Sequence, residues 1–331
     1  LFAGPEATCV RKLRAAGALM LGLTVATEFA YFEPGPTRNP YNPAHTPGGS
    51  SSGSAAAVAA GYCQLALGTQ TSGSIIRPAA YCGLFGFKPS YGRVATSGMV
   101  LCSESLDTIG YLTQDLAGTQ LVAPLLCADW QSVNSPNTKP VLGIPEGPYL
   151  AQASQEALQA FEHHLTRIEQ AGYTLRRLPV FQDIEAITHR HQRLVCAEMA
   201  RVHADWFGQY AVLYRPRTIQ AIREGQAISY PEYDLYRASP RALRGELETL
   251  MEATQIDLWV CPSATGAAPE GIESTGSPAL NLPWTHAGLP ALTLPAGHAK
   301  NGLPLGLQCI GRFQRDEHLL AWASELEQAL L

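Results

Sequence analysis

The chain has 331 residues, 46% of them hydrophobic and 15% charged, so it is long enough to bury a large core as one domain or two closely packed ones. Its net charge of −5 is spread without a run of Lys or Arg, which argues against nucleic acid or a membrane surface as the principal partner. No apolar stretch approaches the roughly 18 residues of a membrane span. The eight cysteines are scattered without a CxxC pair, which favours buried free thiols and a cytoplasmic location.

The N-terminal third alternates short apolar elements with loops. Val10 and Leu13 recur at helical spacing, and Gly17 is a suitable residue to end the helix they predict. The expected elements are a helix over Ala7–Ala16, a buried strand over Ala18–Leu21, an Ala-rich helix over Ser54–Ala60 and a strand over Gln64–Leu67. A loop rich in Gly and Ser precedes the second helix, and another follows the second strand.

The remainder of the chain continues this alternation. Leu158, Phe161, Leu165 and Ile168 lie on one face of an amphipathic helix predicted over Ser154–Ala171. Further elements are predicted as strands over Tyr173–Val180, Leu258–Cys261, Ala291–Pro295 and Leu305–Ile310, and as helices over Ile184–Tyr210, most of 218–255 and Asp316–Leu331. Such a pattern predicts an α/β protein with a mixed central β-sheet flanked by α-helices.

The second Gly/Ser loop presents Ser74 directly after Gly73. Glycine lets the backbone approach a substrate closely, and consecutive N–H groups before Ser74 can converge on an anion. A serine at such a turn is a candidate nucleophile beside an oxyanion hole. A tight turn or a helix cap is the alternative explanation of these residues. Neither Gly/Ser loop continues as the Gly-Lys-Ser/Thr of a phosphate-binding P-loop.

Three motifs follow one another in order: GGSSSGSAAAVAAG, GTQTSGSIIRPAAYCG and FKPSYGRV. Their order, and the 24 residues that separate Ser50 from Ser74, resemble the signature region of the amidase signature family, the Ser–cis-Ser–Lys amide hydrolases. Shorter similarities continue to the near-terminal GLPLGLQ. The resemblance implies the amidase signature fold in one domain, 1–331, with a signature core (about 1–120), a variable helical pocket region (about 125–255) and a C-terminal sheet and helix region (256–331).

The resemblance also implies the roles of individual residues. Ser74 would be the acylated nucleophile, and Ser50, on a cis peptide bond, would relay a proton between Ser74 and a neutral lysine. Ser51 would be a substrate-binding residue that also supports its loop by hydrogen bonding. The oxyanion hole would be formed by backbone N–H groups of Thr71, Ser72, Gly73 and Ser74. A solvated linker is the alternative for Ser50 and Ser51.

The family's lysine should lie well upstream of the first Gly/Ser loop. Lys12 falls in the helix that follows the lysine segment of relatives, and Lys88 belongs to the KPS turn after Ser74. Neither residue matches the position of the family's lysine. We therefore expect a chain that is N-terminally incomplete, through truncation or a misplaced start, or else a pseudoenzyme. Without that base, acylation should be very slow, because removing one member of a cooperating catalytic set forfeits most of the rate gain.

Arg77 stands three residues after Ser74, where many relatives have Arg two residues after the nucleophile. This variant resembles the malonamidase-like branch, in which the arginine binds a substrate carboxylate. A planar guanidinium suits such a bidentate contact. Pairing of Arg77 with a protein carboxylate is the alternative.

Other polar residues carry weaker hypotheses. His189 and His191 stand two apart on a helix and so point to different faces, which favours solvated side chains over a metal site. Glu198 and His203 are candidates for the border of a substrate funnel, and Tyr31 and Trp284 for core or pocket wall. We expect no metal and no cofactor.

The sequence thus predicts an amidase that hydrolyses a C–N bond of a small amide or ureide, with or without a carboxylate, through a seryl acyl-enzyme. One alternative is the glutaminase-type subunit of a tRNA-dependent amidotransferase. Another is a catalytically dead remnant that only binds a ligand or a partner. The expected partner is a small-molecule amide, with a homodimer possible and with no direct contact to nucleic acid or membrane. The substrate itself is left open.

Overall fold

A computed structural model describes residues 6–133 and 138–330. Within these ranges the strands are β1 (Leu65–Gln70), β2 (Phe85–Lys88), β3 (Thr108–Thr113), β4 (Leu142–Glu146), β5 (Leu175–Pro179), β6 (Leu258–Pro262), β7 (Ala291–His298) and β8 (Pro304–Ile310). They form one sheet in the order β1-β3-β2-β7-β8-β6-β4-β5. The strand β4 pairs in parallel with β5 and β6, and the other pairs are antiparallel. The predicted mixed sheet is therefore confirmed.

Helices cover both faces of this sheet. They are α1 (Thr8–Ala15), α2 (Ser52–Ala59), α3 (Ile76–Tyr81), α4 (Leu116–Leu126), α5 (Gln155–Gln170), α6 (Ile184–Val202), α7 (Ala204–Tyr210), α8 (Pro216–Gln226), α9 (Tyr230–Ala253), α10 (Leu282–His286) and α11 (Asp316–Leu330). The long predicted helices are confirmed, with one break. The helix expected over Ile184–Tyr210 divides at His203, whose backbone angles (φ −94°, ψ 6°) leave the helical region.

Alternation along the strands divides the core between the two faces. In β6, Leu258 and Val260 pack into a cluster with residues of α1, α4, α5 and α11, whereas Trp259 and Cys261 pack into a second cluster with α9 and α10. Successive strand side chains point to opposite faces, so one buried strand contributes to both clusters. The result is a helix–sheet–helix arrangement of the α/β class.

The strand predicted over Ala18–Leu21 is wrong. No regular element covers this segment, and Leu19 and Leu21 are 87% and 72% exposed. Ala18 donates its N–H back to the Leu13 carbonyl at 3.0 Å, and beyond the segment the Val25 carbonyl accepts from the Gly53 N–H at 2.8 Å. An apolar run forms a strand only where a neighbouring strand can take up its backbone hydrogen bonds, and no strand of the described ranges pairs with this segment.

No helix in the described ranges is both long enough and apolar enough to cross a membrane. The same residues contain no group of three His, Cys, Asp or Glu side chains placed to hold a metal ion.

Candidate active site

The two Gly/Ser loops, residues 48–51 and 71–75, lie against each other at the end of β1. Ser51 joins them: its N–H donates to the Ser74 carbonyl at 3.4 Å, and its Oγ accepts from the Thr69 N–H at 3.3 Å. Gly68 makes this contact possible, because a Cβ there would stand 2.7 Å from Ser51 Oγ. We call residues 48–51 and 71–75 the signature loops.

Ser50 and Ser74 both line one cleft, of about 570 Å³ with its solvent-filled mouth included. The peptide bond between Gly49 and Ser50 is cis. The Ser50 carbonyl accepts hydrogen bonds from the N–H groups of Thr27 (3.2 Å) and Ser52 (2.8 Å). The Ser74 residue is only 7% exposed. The structure therefore brings the two predicted catalytic serines to the same cleft, and the remaining cleft residues come from elsewhere in the chain.

Arg77 lies at this cleft and is 2% exposed. Its Nη2 donates to the Gly49 carbonyl at 2.7 Å and to Thr275 Oγ1 at 3.1 Å. Its Nε and Nη1 are buried and have no hydrogen-bond partner among the described residues. Burial lowers the pKa of the guanidinium to about 10, which leaves it charged at neutral pH. Within the described ranges no protein carboxylate forms an ion pair with Arg77, so these residues give no support to the alternative of a structural ion pair.

Gln70 shapes the second signature loop. Its Oε1 accepts from the N–H groups of Ile75 (2.8 Å) and Ile76 (3.0 Å), while its Nε2 donates to Thr285 Oγ1 at 2.9 Å. The amide thus ties the start of α3 to α10, and a carboxylate could not make both kinds of bond because it has no donor when ionised. The sequence alone assigned Gln70 no role beyond its place in the motif GTQTSGSIIRPAAYCG. Its structural role depends on α10, far away in the sequence.

The side chain of Thr71 is held by a hydrogen bond to Asp107. Thr71 Oγ1 donates to Asp107 Oδ1 at 2.5 Å, and Asp107 Oδ2 accepts from the N–H groups of Cys102 (2.6 Å) and Ser103 (3.1 Å). Burial raises the pKa of Asp107 to about 6, against the opposing effect of these donors. No hydrogen bond found in the described part of the chain uses the backbone N–H groups of 71–74 as donors. These donors are therefore left without a partner by the described residues.

His191 is buried at 1% exposure and lines the cleft, so the expectation of a solvated side chain is wrong. Its Nε2 lies 2.9 Å from Ser72 Oγ, and its Nδ1 lies 3.2 Å from His286 Nδ1. The error came from considering only the pair with His189, which is exposed. The spacing from Ile184 and Ile187 already places His191 on the buried face of α6.

The other polar candidates lie away from the cleft. Glu198 accepts from the hydroxyl groups of Ser103 (2.5 Å), Ser105 (2.5 Å) and Tyr233 (3.1 Å), and it does not line the cleft. His203 Nδ1 lies 2.9 Å from the hydroxyl of Tyr214. Residues Gln192 and Val195 form the cleft wall on α6 instead.

Tyr31 and Trp284 were each predicted to be either core or pocket wall. Tyr31 lines the cleft. Trp284 is a core residue, and its Nε1 donates to the Tyr149 hydroxyl at 2.7 Å. Neither Lys12 nor Lys88 is among the cleft residues. Lys88 Nζ donates to the Pro89 carbonyl at 2.8 Å, and burial lowers its pKa to about 7.

Known proteins resemble this chain in both sequence and fold. A family model described as Amidase matches residues 2–320. The chain is 32% identical to the A subunit of glutamyl-tRNA(Gln) amidotransferase from Moorella thermoacetica, over 98% of this chain and 76% of that protein. A solved structure described as the crystal structure of amidase matches with a TM-score of 0.89 and 32% identity, over 99% of this chain and 78% of that one.

Native peptide amidase from Stenotrophomonas maltophilia matches with a TM-score of 0.79 and 26% identity, over 98% of this chain and 76% of that one. The fold and the cleft with its paired serine loops define an amidase-type hydrolase. The chain belongs to the amidase family.

Proposed function

We propose that this protein hydrolyses the C–N bond of a small amide or ureide that carries a carboxylate, through an acyl-enzyme on Ser74. The observation that carries the proposal is the buried guanidinium of Arg77, with two nitrogens unpartnered among the described residues, in the cleft that Ser50 and Ser74 also line. Most buried polar atoms have a hydrogen-bond partner. A substrate carboxylate would supply the missing acceptors and the opposite charge.

Electrostatics supports this choice of substrate. An uncompensated buried charge is costly, and leaving one partner of a buried pair alone costs about 3–5 kcal/mol. Within the described ranges Arg77 has only neutral acceptors, the Gly49 carbonyl and Thr275 Oγ1. A carboxylate bound beside it therefore gains more than a neutral group of the same size. The arginine would fix one end of the substrate while the amide carbonyl lies at Ser74.

The chemistry follows from the two signature loops. Ser74 Oγ would attack the amide carbon, and its proton would pass through Ser50 to a base. The developing oxyanion would accept from the free backbone N–H groups of 71–74, donors of the kind whose loss costs about 3–4 kcal/mol each. The leaving amine would take up the proton, and water would then hydrolyse the acyl-serine bond. The base that family resemblance implies is a lysine, and no lysine of the described ranges lines the cleft.

Intact-mass analysis after exposure to a fluorophosphonate tests the catalytic part. The proposal requires one adduct on the wild type and none on Ser74→Ala, because the probe reacts only with a serine that a base has activated. No adduct on folded wild type contradicts an assembled site and supports the alternative of a catalytically dead remnant.

Paired substrates test the carboxylate. We expect kcat/KM for malonamate to exceed that for propionamide by about a hundredfold, and Arg77→Met to remove most of that preference. The ratio of the two substrates is the readout, because Arg77 also holds the Gly49 carbonyl and its loss will affect both substrates through the loop. Equal preference in wild type and Arg77→Met contradicts the assignment.

A second candidate is ammonia production from glutamine within a tRNA-dependent amidotransferase of several subunits. The 32% identity to a protein named as part of such an amidotransferase favours it. Glutamine carries a carboxylate too, so Arg77 suits both substrates. Glutamine hydrolysis that depends on partner subunits and charged tRNA would support this candidate, and malonamate hydrolysis by the chain alone would support the first. A possible homodimer is tested by light scattering after gel filtration.

A further inference from the structure

A chain of hydrogen bonds runs from the cleft to the surface through two buried imidazoles. The successive contacts are Ser72 Oγ–His191 Nε2 (2.9 Å), His191 Nδ1–His286 Nδ1 (3.2 Å), His286 Nε2–Ser239 Oγ (2.9 Å), Ser239 Oγ–Arg190 Nε (3.1 Å) and Arg190 Nη2–Asp183 Oδ2 (3.1 Å). Three helices, α6, α9 and α10, contribute to this chain. Nothing in the proposed reaction uses it.

The surface end of the chain gives a starting point for the direction of the donors. Arg190 Nε can only donate, so Ser239 Oγ accepts there and keeps its own proton to give. If that proton is given to His286 Nε2, the ring nitrogen 2.9 Å away, the other directions are fixed. His286 then carries its proton on Nδ1 and donates to His191 Nδ1. His191 in turn carries its proton on Nε2 and donates to Ser72 Oγ.

Both rings are neutral in this arrangement. Burial lowers the pKa of His286 to about 4, and burial together with the neighbouring His286 lowers the pKa of His191 well below its usual value. A neutral imidazole offers one donor and one acceptor, which is what each link requires. A second proton on His191 would place two donors face to face at the contact between the two Nδ1 atoms. The geometry and the neutral state therefore agree.

Ser72 is where the chain ends in the cleft. Its Oγ accepts from His191, so its own proton must be given elsewhere, and no acceptor for it is found within the described ranges. Ser72 lines the cleft beside Ser74, while its carbonyl already accepts from Thr285 Oγ1 at 2.7 Å. In this arrangement the side chain is held by His191, and its own proton remains without an acceptor among the described residues.

We propose that the Ser72 hydroxyl is a substrate-binding donor, held in that role by His191 and His286, and that it takes an oxygen acceptor of the substrate. This inference rests on the proposed amidase function, because it names a second contact to the same substrate. His191 and His286 are positioning residues: they act through Ser72, and Ser72 touches the ligand. The substrate would then be selected by a cation, Arg77, and by a neutral donor, Ser72.

The tautomers test the donor chain without any turnover. In protein labelled with ¹⁵N-histidine, long-range ¹H–¹⁵N spectra at neutral pH should show His191 protonated on Nε2 and His286 protonated on Nδ1. Spectra of His191→Gln and His286→Asn assign the two rings by loss of signals. The opposite tautomer at His191, or a doubly protonated ring, overturns the proposal.

Binding of malonamate to the Ser74→Ala protein, measured by calorimetry, tests the role in recognition. Adding Ser72→Ala should weaken Kd by about tenfold, which is near the upper end of the contribution of a typical hydrogen bond. His191→Leu should have a similar effect, whereas His191→Gln, which keeps an N–H near the Nε2 position, should stay within about twofold of the parent.

A double-mutant cycle separates positioning from general damage. If His191 acts through Ser72, His191→Leu should weaken malonamate binding no further once Ser72 is alanine. Additive effects would mean that His191 supports the cleft as a whole, and they would overturn the proposal. No binding by the parent protein would contradict the proposed carboxylate substrate, whereas the histidine tautomers still decide the donor chain by themselves.

Discussion

The cleft has two walls that are built in different ways. The signature loops form one wall from backbone groups and short side chains, held by local bonds such as those of Ser51 to Thr69 and Ser74. The α6 wall, which comprises His191, Gln192 and Val195, is formed by longer side chains that depend on helix packing. The first wall is therefore held by contacts close to the loops themselves, whereas the second wall keeps its shape only while α6 packs against its neighbouring helices.

The largest effect is expected where α6 meets α8. A Cβ on Gly225 would stand 1.9 Å from the Cys196 carbonyl, a backbone atom that cannot move aside. We expect Gly225→Ala to lower the free energy of unfolding by about 3 kcal/mol or more, because overpacking displaces the helices. Urea unfolding followed by circular dichroism measures the change.

Gly245 is the matched control in the same helical region. A Cβ on Gly245 meets no atom within 4 Å, and the residue lies inside α9. Gly245→Ala should therefore raise the free energy of unfolding by about 0.5–1 kcal/mol through helix propensity alone. Similar destabilisation by both substitutions would mean that the α6 wall does not depend on this close contact.

The next effect concerns the support of the signature loops and depends on pH. Asp107 has a pKa raised from 3.8 to about 6 in the folded protein. Its contribution to stability is therefore fully present below about pH 4 and is lost as the pH rises through 6. Asp107→Asn cannot ionise, so its free energy of unfolding relative to wild type should rise across this window by an amount on the order of 3 kcal/mol.

The change of the free energy of unfolding with pH, rather than its value at any one pH, tests this prediction. The asparagine amide also loses acceptor capacity toward Thr71 and the N–H groups of Cys102 and Ser103, which lowers stability at every pH. Unfolding at pH 4, 5, 6 and 7 separates the two effects. Parallel profiles for wild type and Asp107→Asn would show that Asp107 does not titrate in this range.

The smallest effect is expected at the outer end of the hydrogen-bond chain. The ion pair of Asp183 with Arg190 is exposed, and exposed pairs contribute about 0–1 kcal/mol. We expect Asp183→Asn to change the free energy of unfolding by less than about 0.5 kcal/mol and to leave malonamate binding unchanged. A clear loss of binding would mean that the α6 wall is coupled to the surface charge as well as to Ser239.

Local patterns predicted the elements that carry their own signal. The stripe of Leu158, Phe161, Leu165 and Ile168 predicted α5 to within one residue at each end. By contrast β2 and β3 were not predicted, because every one of their residues is buried and no alternation between polar and apolar positions marks them. The five-residue α10 is also too short for a helical period to appear.

The signature motifs by themselves determined the family, the fold class and the meeting of two serine loops, because that information lies in short stretches of Gly and Ser with fixed separation. Only the tertiary structure decided which groups surround the individual side chains. It left Arg77 without a carboxylate among the described residues, placed His191 against Ser72, and left Leu19 and Leu21 exposed. Partners of this kind come from residues up to about two hundred positions away, such as Thr275 for Arg77. A residue's own sequence neighbourhood specifies its secondary structure and its chemistry, whereas its charge balance and hydrogen bonds depend on what folding brings beside it.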